Sequence, residues 1–284
     1  MTLENLILKK SQKKIFGGKV PRERNKFKEI EDKCTNLKIG VIIPAFNEEN
    51  NLGNVLSKIP YNIFKHLDVI VVNDGSTDKT AEIARIFDVL ILNHNKNRGN
   101  GAATITGLDY CKNNNYDIVI ILDADGQHDP KYLYDFISPI IRNEVDFVIG
   151  NRFKNYYKSN KSKIFFSRLI TAFYFVLLRK KVSDPTNGYR ALSSKCLSKL
   201  NFESQYSITQ EMLFKILPSY KYKEIPIIVN QRENGRSFIK MKNYLLKMIL
   251  MILKFYILPK ISKLTSKIFK ETTRKKIRLS FLKT

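Results

Sequence analysis

The chain has 284 residues, is 43% hydrophobic and carries a formal net charge of +24. This length and apolar content are enough for one large domain or two small ones, each with a proper core. Its three cysteines, Cys34, Cys111 and Cys196, are odd in number, far apart and without CxxC spacing, which indicates neither a disulfide framework nor a zinc site and suits a reducing cytosol.

Residues 1–37 show no sustained hydrophobic period and include Gly17, Gly18 and Pro21, so we expect a basic arm there. The basic N-terminus lacks the apolar core of a secretory signal, and we therefore expect no export. The folded body is predicted to begin at Lys38, and we place a catalytic domain at 38–240, followed by a separate terminal segment at 241–284.

From Lys38 onward, β-type runs alternate with helical patterns, which predicts an α/β fold with a mostly parallel central sheet covered on both faces. The later part of the body is expected to extend the same sheet. The predicted strands cover about 39–43, 69–72, 89–92, 118–122, 147–150 and 224–229. The predicted helices cover about 48–58, 77–87, 100–114, 164–178 and 208–217.

Two carboxylates, Asp123 and Asp125, directly follow the apolar run 118–122. The run is typical of a buried strand, and open α/β sheets bind ligands at the carboxyl ends of their strands. Hard oxygen ligands suit Mg²⁺ or Mn²⁺, which bind through one or two carboxylates and leave other positions to water and substrate phosphates. The motif therefore indicates a metal site, although an Asp/Gly turn would give the same short pattern.

Polar clusters also follow the first and second predicted strands, at 44–48 and 73–78. A parallel sheet would place them at the same edge as Asp123, over the crevice where nucleotides bind. Asp74 is suited to accept a hydrogen bond from a ribose hydroxyl or a base N–H. Gly99 and Gly101 permit close approach of the backbone to a ligand.

These clusters belong to a longer ordered series of motifs between about residues 38 and 240. The motifs are PAFNE at 44–48, NDGSTD at 73–78, NRGNG at 97–101, DADGQHDP at 123–130, GNRF at 150–153 and SDPTNGYR at 183–190. Together they resemble those of the family 2 glycosyltransferases of the dolichol-phosphate mannosyltransferase and polyprenyl-phosphate glycosyltransferase type. The first three mark the wider family, and the segments around Arg152, at 184–190 and at 232–237 narrow it to lipid-phosphate acceptors.

The resemblance implies a GT-A fold, the Rossmann-like fold of nucleotide-diphospho-sugar transferases, with Mg²⁺ or Mn²⁺ held by Asp123 and Asp125. The residues implied to bind the nucleotide sugar are Pro44, Phe46, Glu48, Val72, Asp74, Asp123, Ala124, Asp125, Arg152 and Arg232. The residues implied at the acceptor segment, which we define as residues 183–190, are Ser183, Asp184, Thr186 and Arg190. Asp125, Gln127 and Arg152 are the implied catalytic residues, with Gln127 near the sugar.

Two departures from the family pattern concern the sugar and a late loop. Asn73 replaces the first acid of the Asp-Asp-Gly-Ser pattern of the mannosyl enzymes, and Gly126 to His128 replace a Leu-Ser-His continuation. These changes put mannose in doubt and leave glucose and N-acetylhexosamine open. In the loop Gly235–Phe238, relatives often have a lysine after the Gly-x-Ser sequence, whereas this chain has its lysine two residues later, at Lys240. The resemblance therefore implies that Arg236 or Lys240 makes the loop's contact with phosphate.

The implied reaction is a single inverting transfer of a sugar to a dolichyl or polyprenyl phosphate. The alternative is transfer to a hydroxyl of a polysaccharide, diacylglycerol or protein, which would need a carboxylate base such as Asp129, Asp184 or Glu211. A nucleic-acid-binding protein is less compatible with the sequence, which has no helix-turn-helix, zinc or RNA-recognition signature.

The last segment, 240–284, holds 13 Lys and Arg residues and one acid, Glu271. An apolar stretch from Tyr244 to Leu258 is broken only by Lys247 and Lys254. This pattern predicts a helix in the membrane interface that attaches the protein peripherally to the cytoplasmic face, with anionic lipid as a partner. A core-packed terminal helix is the alternative. The sequence sets no expectation for oligomeric state.

Overall fold

The structure, a computed structural model, describes residues 36–61, 64, 66–153, 171–172, 174–203, 208–229 and 258. Its strands are β1 Ile39–Ala45, β2 Leu67–Asn73, β3 Leu90–Asn93, β4 Ile118–Ile121, β5 Phe147–Asn151, β6 Arg190–Ser193 and β7 Tyr222–Pro226. Its helices are α1 Leu52–Ser57, α2 Thr80–Ile86, α3 Asn100–Asn113, α4 Leu133–Ile141, α5 Ser194–Lys199 and α6 Ile208–Ile216. Residues 171–172 and 174–178 are also helical, and we call this element the 171–178 helix.

The seven strands form one sheet in the order β3-β2-β1-β4-β6-β5-β7. β1 is parallel to β2 and β4, β2 is parallel to β3, and β5 is parallel to β7. Only β6 runs antiparallel, between β4 and β5. The predicted α/β fold with a mostly parallel sheet is therefore confirmed, and the later part of the body does extend the same sheet.

The sheet centre is apolar because its strands are built from β-branched residues. All seven residues of β1 and all four of β4 are buried, which is the pattern of strands covered on both faces. On one face α3 approaches β1 closely, since a Cβ atom on Gly107 would lie 2.4 Å from Cγ2 of Ile42. This close packing fixes the start of α3, and with it Gly99, at the carboxyl edge of the sheet.

Three elements were not predicted from the sequence: α4, β6 and α5. The arm at 1–35, most of the predicted helix at 164–178, and Arg232, the loop Gly235–Phe238 and Lys240 lie outside the described residues. The chain divides into two compact units, Met1–Gly235 and Arg236–Thr284, and the fold given above is that of the first. The boundaries at 38 and 240 remain predictions. Within the described ranges, no helix combines the length and the apolar character needed to cross a bilayer.

Candidate active site

The loops that follow β1 and β2 are joined by hydrogen bonds at the sheet edge. The Asn47 backbone N–H donates to Oγ of Ser76 at 3.1 Å, and the Thr77 backbone N–H donates to Oδ1 of Asn47 at 2.9 Å. Asn47 has a φ of 53°, a left-handed conformation that asparagine tolerates better than most residues. The two predicted clusters therefore form one surface, as the parallel register of Ala45 and Asn73 requires.

Glu48 is 8% exposed and is held by its neighbours. Its Oε2 accepts a hydrogen bond from Nδ2 of Asn51 at 2.6 Å, and its backbone N–H donates to Oγ1 of Thr80 at 2.8 Å. Burial alone would raise the pKa of nearby Asp78, but donation from the Thr80 hydroxyl and amide, and from the Glu49 amide, lowers this pKa below its ordinary value. The loop is thus fixed by charged hydrogen bonds, with Phe46 half-buried beside it.

Asp74 organises the loop that precedes α3. The backbone N–H groups of Arg98 and Gly99 donate to its Oδ1 and Oδ2 at 3.0 and 2.7 Å. Nδ1 of His94 lies 2.6 Å from the same Oδ1, and Nε2 of His94 lies 2.9 Å from the Thr106 hydroxyl. With 1% of its surface exposed, Asp74 fixes the position of this loop. The expected direct contact with a ribose or base stays a prediction.

Two other residues implied in the nucleotide pocket lie in the sheet itself. Val72 has no exposed surface, and Pro44, its partner in the β1–β2 register, is buried. Both support the crevice from beneath. Ala124 is also buried, at 3% exposure.

Asp123 and Asp125 lie at the end of the β4 run and retain exposed surface. The Asp123 side chain is 34% exposed, and Asp125 is half-buried. The Gln127 backbone N–H donates to Oδ1 of Asp125 at 3.0 Å, and Gly126 between them has a φ of +74° that favours glycine. The two carboxylates thus lie one residue apart where the strand run meets a tight turn.

A divalent cation fits the donor groups at this turn. Nδ1 of buried His128 lies 3.1 Å from Oδ2 of Asp123, yet it has no hydrogen-bond partner among the described residues. A Cβ atom on Gly188 would lie 3.3 Å from Oδ2 of Asp123, so the glycine leaves space beside this carboxylate. No group of three or more His, Cys, Asp or Glu side chains that could hold a metal occurs in the described ranges. Two carboxylates with open positions match the preference of Mg²⁺ or Mn²⁺ for water and phosphate ligands.

Arg152 and Asp184 form a bidentate ion pair across the end of β5. Nε and Nη2 of Arg152 donate to Oδ2 and Oδ1 of Asp184, each at 2.7 Å, and Nη2 also donates to the Thr186 hydroxyl at 2.8 Å. The Asp184 side chain is completely buried, whereas the Arg152 side chain is 23% exposed. The structure therefore brings a residue predicted to bind the nucleotide sugar, Arg152, into direct contact with a residue predicted to bind the acceptor substrate, Asp184.

Arg190 lies in the interior of the folded body. It has no exposed surface, and its guanidinium donates to three backbone carbonyls, those of Pro185, Asn187 and Thr209. Because these carbonyls belong to the acceptor segment and to α6, the guanidinium links the two elements. Its implied contact with the acceptor stays a prediction.

Sequence reasoning missed two residues that hold the acceptor segment. Oε1 of Glu224 on β7 accepts hydrogen bonds from the backbone N–H groups of Ser183 and Asp184 at 2.7 and 3.1 Å. The Tyr189 ring stacks on Phe136 with centroids 4.2 Å apart, and burial raises the pKa of its phenol well above the ordinary value. The contacts are long-range, so no local pattern signals them.

The sequence is similar to those of known proteins. The model of the family described as "Glycosyl transferase family 2" matches residues 40–200. A UDP-N-acetylglucosamine–dolichyl-phosphate N-acetylglucosaminyltransferase from Methanococcus voltae is 32% identical over 184 residues, which cover 57% of this chain and 72% of that protein. A dolichol-phosphate mannosyltransferase from Pyrococcus furiosus is 30% identical over 223 residues, which cover 72% of this chain and 60% of that protein.

The fold is also found among solved structures. Glucosyl-3-phosphoglycerate synthase from Mycobacterium tuberculosis, in complex with Mn²⁺, UDP-glucose and phosphoglyceric acid, superposes with a TM-score of 0.64 at 20% identity. The match covers 80% of this chain and 83% of that one. At this identity the similarity establishes the architecture, and the chemistry of the site has to be argued from its own residues.

Proposed function

Because the chain belongs to glycosyl transferase family 2, we propose that it transfers a sugar from a nucleotide-diphosphate sugar to a dolichyl or polyprenyl phosphate. The chain is a glycosyltransferase with the GT-A fold, as its sequence predicts. The proposal adds the acceptor, inversion at the anomeric carbon, dependence on Mg²⁺ or Mn²⁺, and peripheral attachment at the cytoplasmic face of a membrane.

One observation carries the proposal: the backbone of the acceptor segment passes close to the Asp123 carboxylate of the DAD motif. A Cβ atom added to Gly188 would lie 3.3 Å from Oδ2 and 3.6 Å from Oδ1 of Asp123. The segment that the resemblance assigns to the acceptor is therefore adjacent to the carboxylate assigned to the donor diphosphate. Such proximity is what direct transfer between two bound substrates requires.

On the donor side, Asp123 and Asp125 would hold the metal ion. When bound, the ion supplies positive charge that neutralises the departing nucleoside diphosphate. The exposed part of Arg152 is a proposed second contact for the diphosphate, and Asp184 fixes the direction of its guanidinium. Asp74 holds the 98–99 backbone in place beside the nucleotide crevice.

On the acceptor side, two of the three candidate bases for a hydroxyl acceptor have both carboxylate oxygens engaged. Asp184 is buried and paired with Arg152. Glu211 is buried; its Oε1 accepts from Nζ of Lys215 at 2.8 Å, and its Oε2 has no hydrogen-bond partner among the described residues. Both carboxylate oxygens of Asp129 accept from Lys131, one from its amide and one from its ammonium group. A phosphate acceptor needs no such base, because its oxygen is already anionic at neutral pH.

The proposed reaction is a single displacement. An oxygen of the lipid phosphate forms a bond to the anomeric carbon while the bond from that carbon to the nucleoside diphosphate breaks. The electron pair of the broken bond leaves with the diphosphate, and no proton has to move. The two relatives from Methanococcus voltae and Pyrococcus furiosus are both named for a dolichol phosphate acceptor, which supports the choice of lipid phosphate.

The proposal is tested by incubating the enzyme with polyprenyl phosphate and a panel of UDP- and GDP-linked sugars, and analysing the lipids by mass spectrometry. The expected product is a polyprenyl-phosphate monosaccharide formed with one donor and lost on chelation of divalent cations. Absence of this product with every donor, with sugar found instead on a hydroxyl acceptor, would contradict the proposal.

A further inference from the structure

The 171–178 helix turns an apolar face outward. Ala172, Phe175 and Val176 follow the spacing i, i+3, i+4, which places them on one side of the helix, and all three are exposed. Phe175 is 49% exposed and Val176 is 61% exposed. A helix of a globular domain normally directs its apolar stripe into the core. A large apolar pair facing outward at one place therefore indicates an interaction surface.

The opposite side of this helix is fastened to the catalytic domain. The Thr171 hydroxyl donates to the Ser183 carbonyl at 3.0 Å, and the Tyr174 ring lies 5.4 Å from the Phe214 ring of α6. Tyr174 has no exposed surface. The outward face is thus attached directly to the first residue of the acceptor segment, and whatever binds this face lies close to that segment.

Cations continue the surface at the C-terminal end of the helix. Arg179 and Lys181 are exposed and Lys180 is half-buried, which gives three consecutive positive charges after the apolar face. The hydroxyl of Tyr222 donates to the Lys181 carbonyl at 3.0 Å and fixes this stretch to β7. An apolar face bordered by cations complements a bilayer that presents acyl chains beside anionic headgroups.

We propose that Ala172, Phe175 and Val176 insert into an anionic lipid bilayer while Arg179 to Lys181 contact its headgroups. This docking surface belongs to the catalytic domain and is distinct from the predicted membrane segment at 241–284. The consequence of this docking for catalysis rests on the proposed function. Docking brings the acceptor segment to the level of the lipid headgroups, so that a lipid phosphate enters the site without leaving the membrane.

Insertion is measured at the helix itself, without donor or acceptor. A Val176→Cys variant of the full chain, with Cys34 changed to Ser, is labelled with an environment-sensitive fluorophore; Cys111 and Cys196 are buried. The matched control is Ile86→Cys, since Ile86 is 79% exposed but lies on α2. Vesicles of phosphatidylcholine with and without phosphatidylglycerol are added, and lipid-borne quenchers report depth.

We expect a blue shift and quenching at position 176 with anionic vesicles, and neither at position 86. An unchanged spectrum at 176, or equal changes at both positions, would overturn the proposal. A shift at 176 that grows with protein concentration in the absence of vesicles would also overturn it, because a second copy of the chain would then cover the face.

The consequence for turnover is tested with a Phe175→Ser/Val176→Ser variant. With acceptor embedded in vesicles, we expect kcat/KM to fall about tenfold relative to wild type, the factor that corresponds to about 1.4 kcal/mol of lost membrane interaction. With a short-chain acceptor dissolved in water, the rate should be unchanged, and Ile86→Ser should change neither rate. A loss with both acceptors would place these residues in catalysis or folding and overturn the docking role. If no lipid phosphate is glycosylated by wild type, the proposed function fails while the insertion result still stands.

Discussion

At the end of β4 the Asp123 side chain keeps 34% of its surface exposed, whereas the Asp184 side chain of the acceptor segment is completely buried. Both are aspartates beside the same crevice, and the resemblance assigned both to substrates. The exposed carboxylate lies close to the backbone of Gly188, while both oxygens of the buried one accept hydrogen bonds from the Arg152 guanidinium. Asp123 therefore keeps surface that a ligand can reach, whereas the Asp184 charge first of all holds the acceptor segment in shape.

The largest effect is expected when the donor side loses a charge. Asp125→Asn should reduce kcat by about 10³-fold, because it removes charge stabilisation of the leaving diphosphate. Unfolding by urea should be almost unchanged, since the half-exposed side chain contributes little to the core. The matched control is Asp88→Asn on the exposed turn after α2, which should retain full activity. Undiminished turnover of the Asp125 variant would contradict the proposed metal site.

Loss of a charge in the acceptor segment is expected chiefly to lower the free energy of unfolding. Asp184→Ala leaves the Arg152 cation without its buried partner, which typically costs about 3–5 kcal/mol of folding free energy. Urea unfolding would reveal this as a lower midpoint. The exposed ion pair of Lys131 with Asp129 is the control, because Lys131→Ala should cost less than about 1 kcal/mol. Equal stability of the two variants would show that the buried pair does not fasten the segment.

Arg190 provides a second test of whether charges in the acceptor segment stabilise the fold. Arg190→Met removes the guanidinium that donates to three carbonyls, and we expect a loss of about 2–4 kcal/mol in unfolding free energy. Saturation curves for donor and acceptor should then change together, through kcat or the active fraction. A selective rise in KM for lipid phosphate with unchanged stability would instead restore the direct phosphate role implied by the sequence, and contradict the buried position.

The smallest effect is expected at the Asp74 network. His94→Ala removes the ring contacts to Asp74 and Thr106, so the loop at Arg98 and Gly99 is held less firmly. Calorimetry with the nucleoside diphosphate should show binding weakened by about three- to tenfold, equivalent to roughly 1 kcal/mol. His66→Ala, at an exposed position before β2, is the control and should bind normally. If both variants bind the nucleoside diphosphate as tightly as wild type does, His94 has no role in binding the sugar donor.

Much of the part of the site that is proposed to bind the sugar donor could be predicted from the sequence. An apolar run followed by polar residues is a local signal, and β1, β2 and β4 end within a few residues of the predicted positions, with Asp123 after β4 as expected. The order of the strands then brings the clusters together, because parallel strands present their carboxyl ends at one edge. The metal and the nucleotide contacts themselves remain predictions.

The acceptor side was less predictable for physical reasons. α4 contains Pro139, a residue that argues against a helix in a local reading, and the helix still forms because nearly all of its residues pack against the sheet. β6 has only four residues and runs antiparallel, so the alternating pattern gave no sign of it. Arg152 and Asp184 are 32 residues apart, and only the folded chain shows that they neutralise each other.

The central claim is that the acceptor is a lipid phosphate and that transfer proceeds without a protein base. The most direct measurement offers the wild-type enzyme polyprenyl phosphate and polyprenol of the same chain length, with the same donor, and compares the two kcat/KM values. We predict product only with the phosphate, and a rate that rises as the phosphate loses its second proton near pH 6. Transfer to the alcohol at a comparable rate would contradict the account.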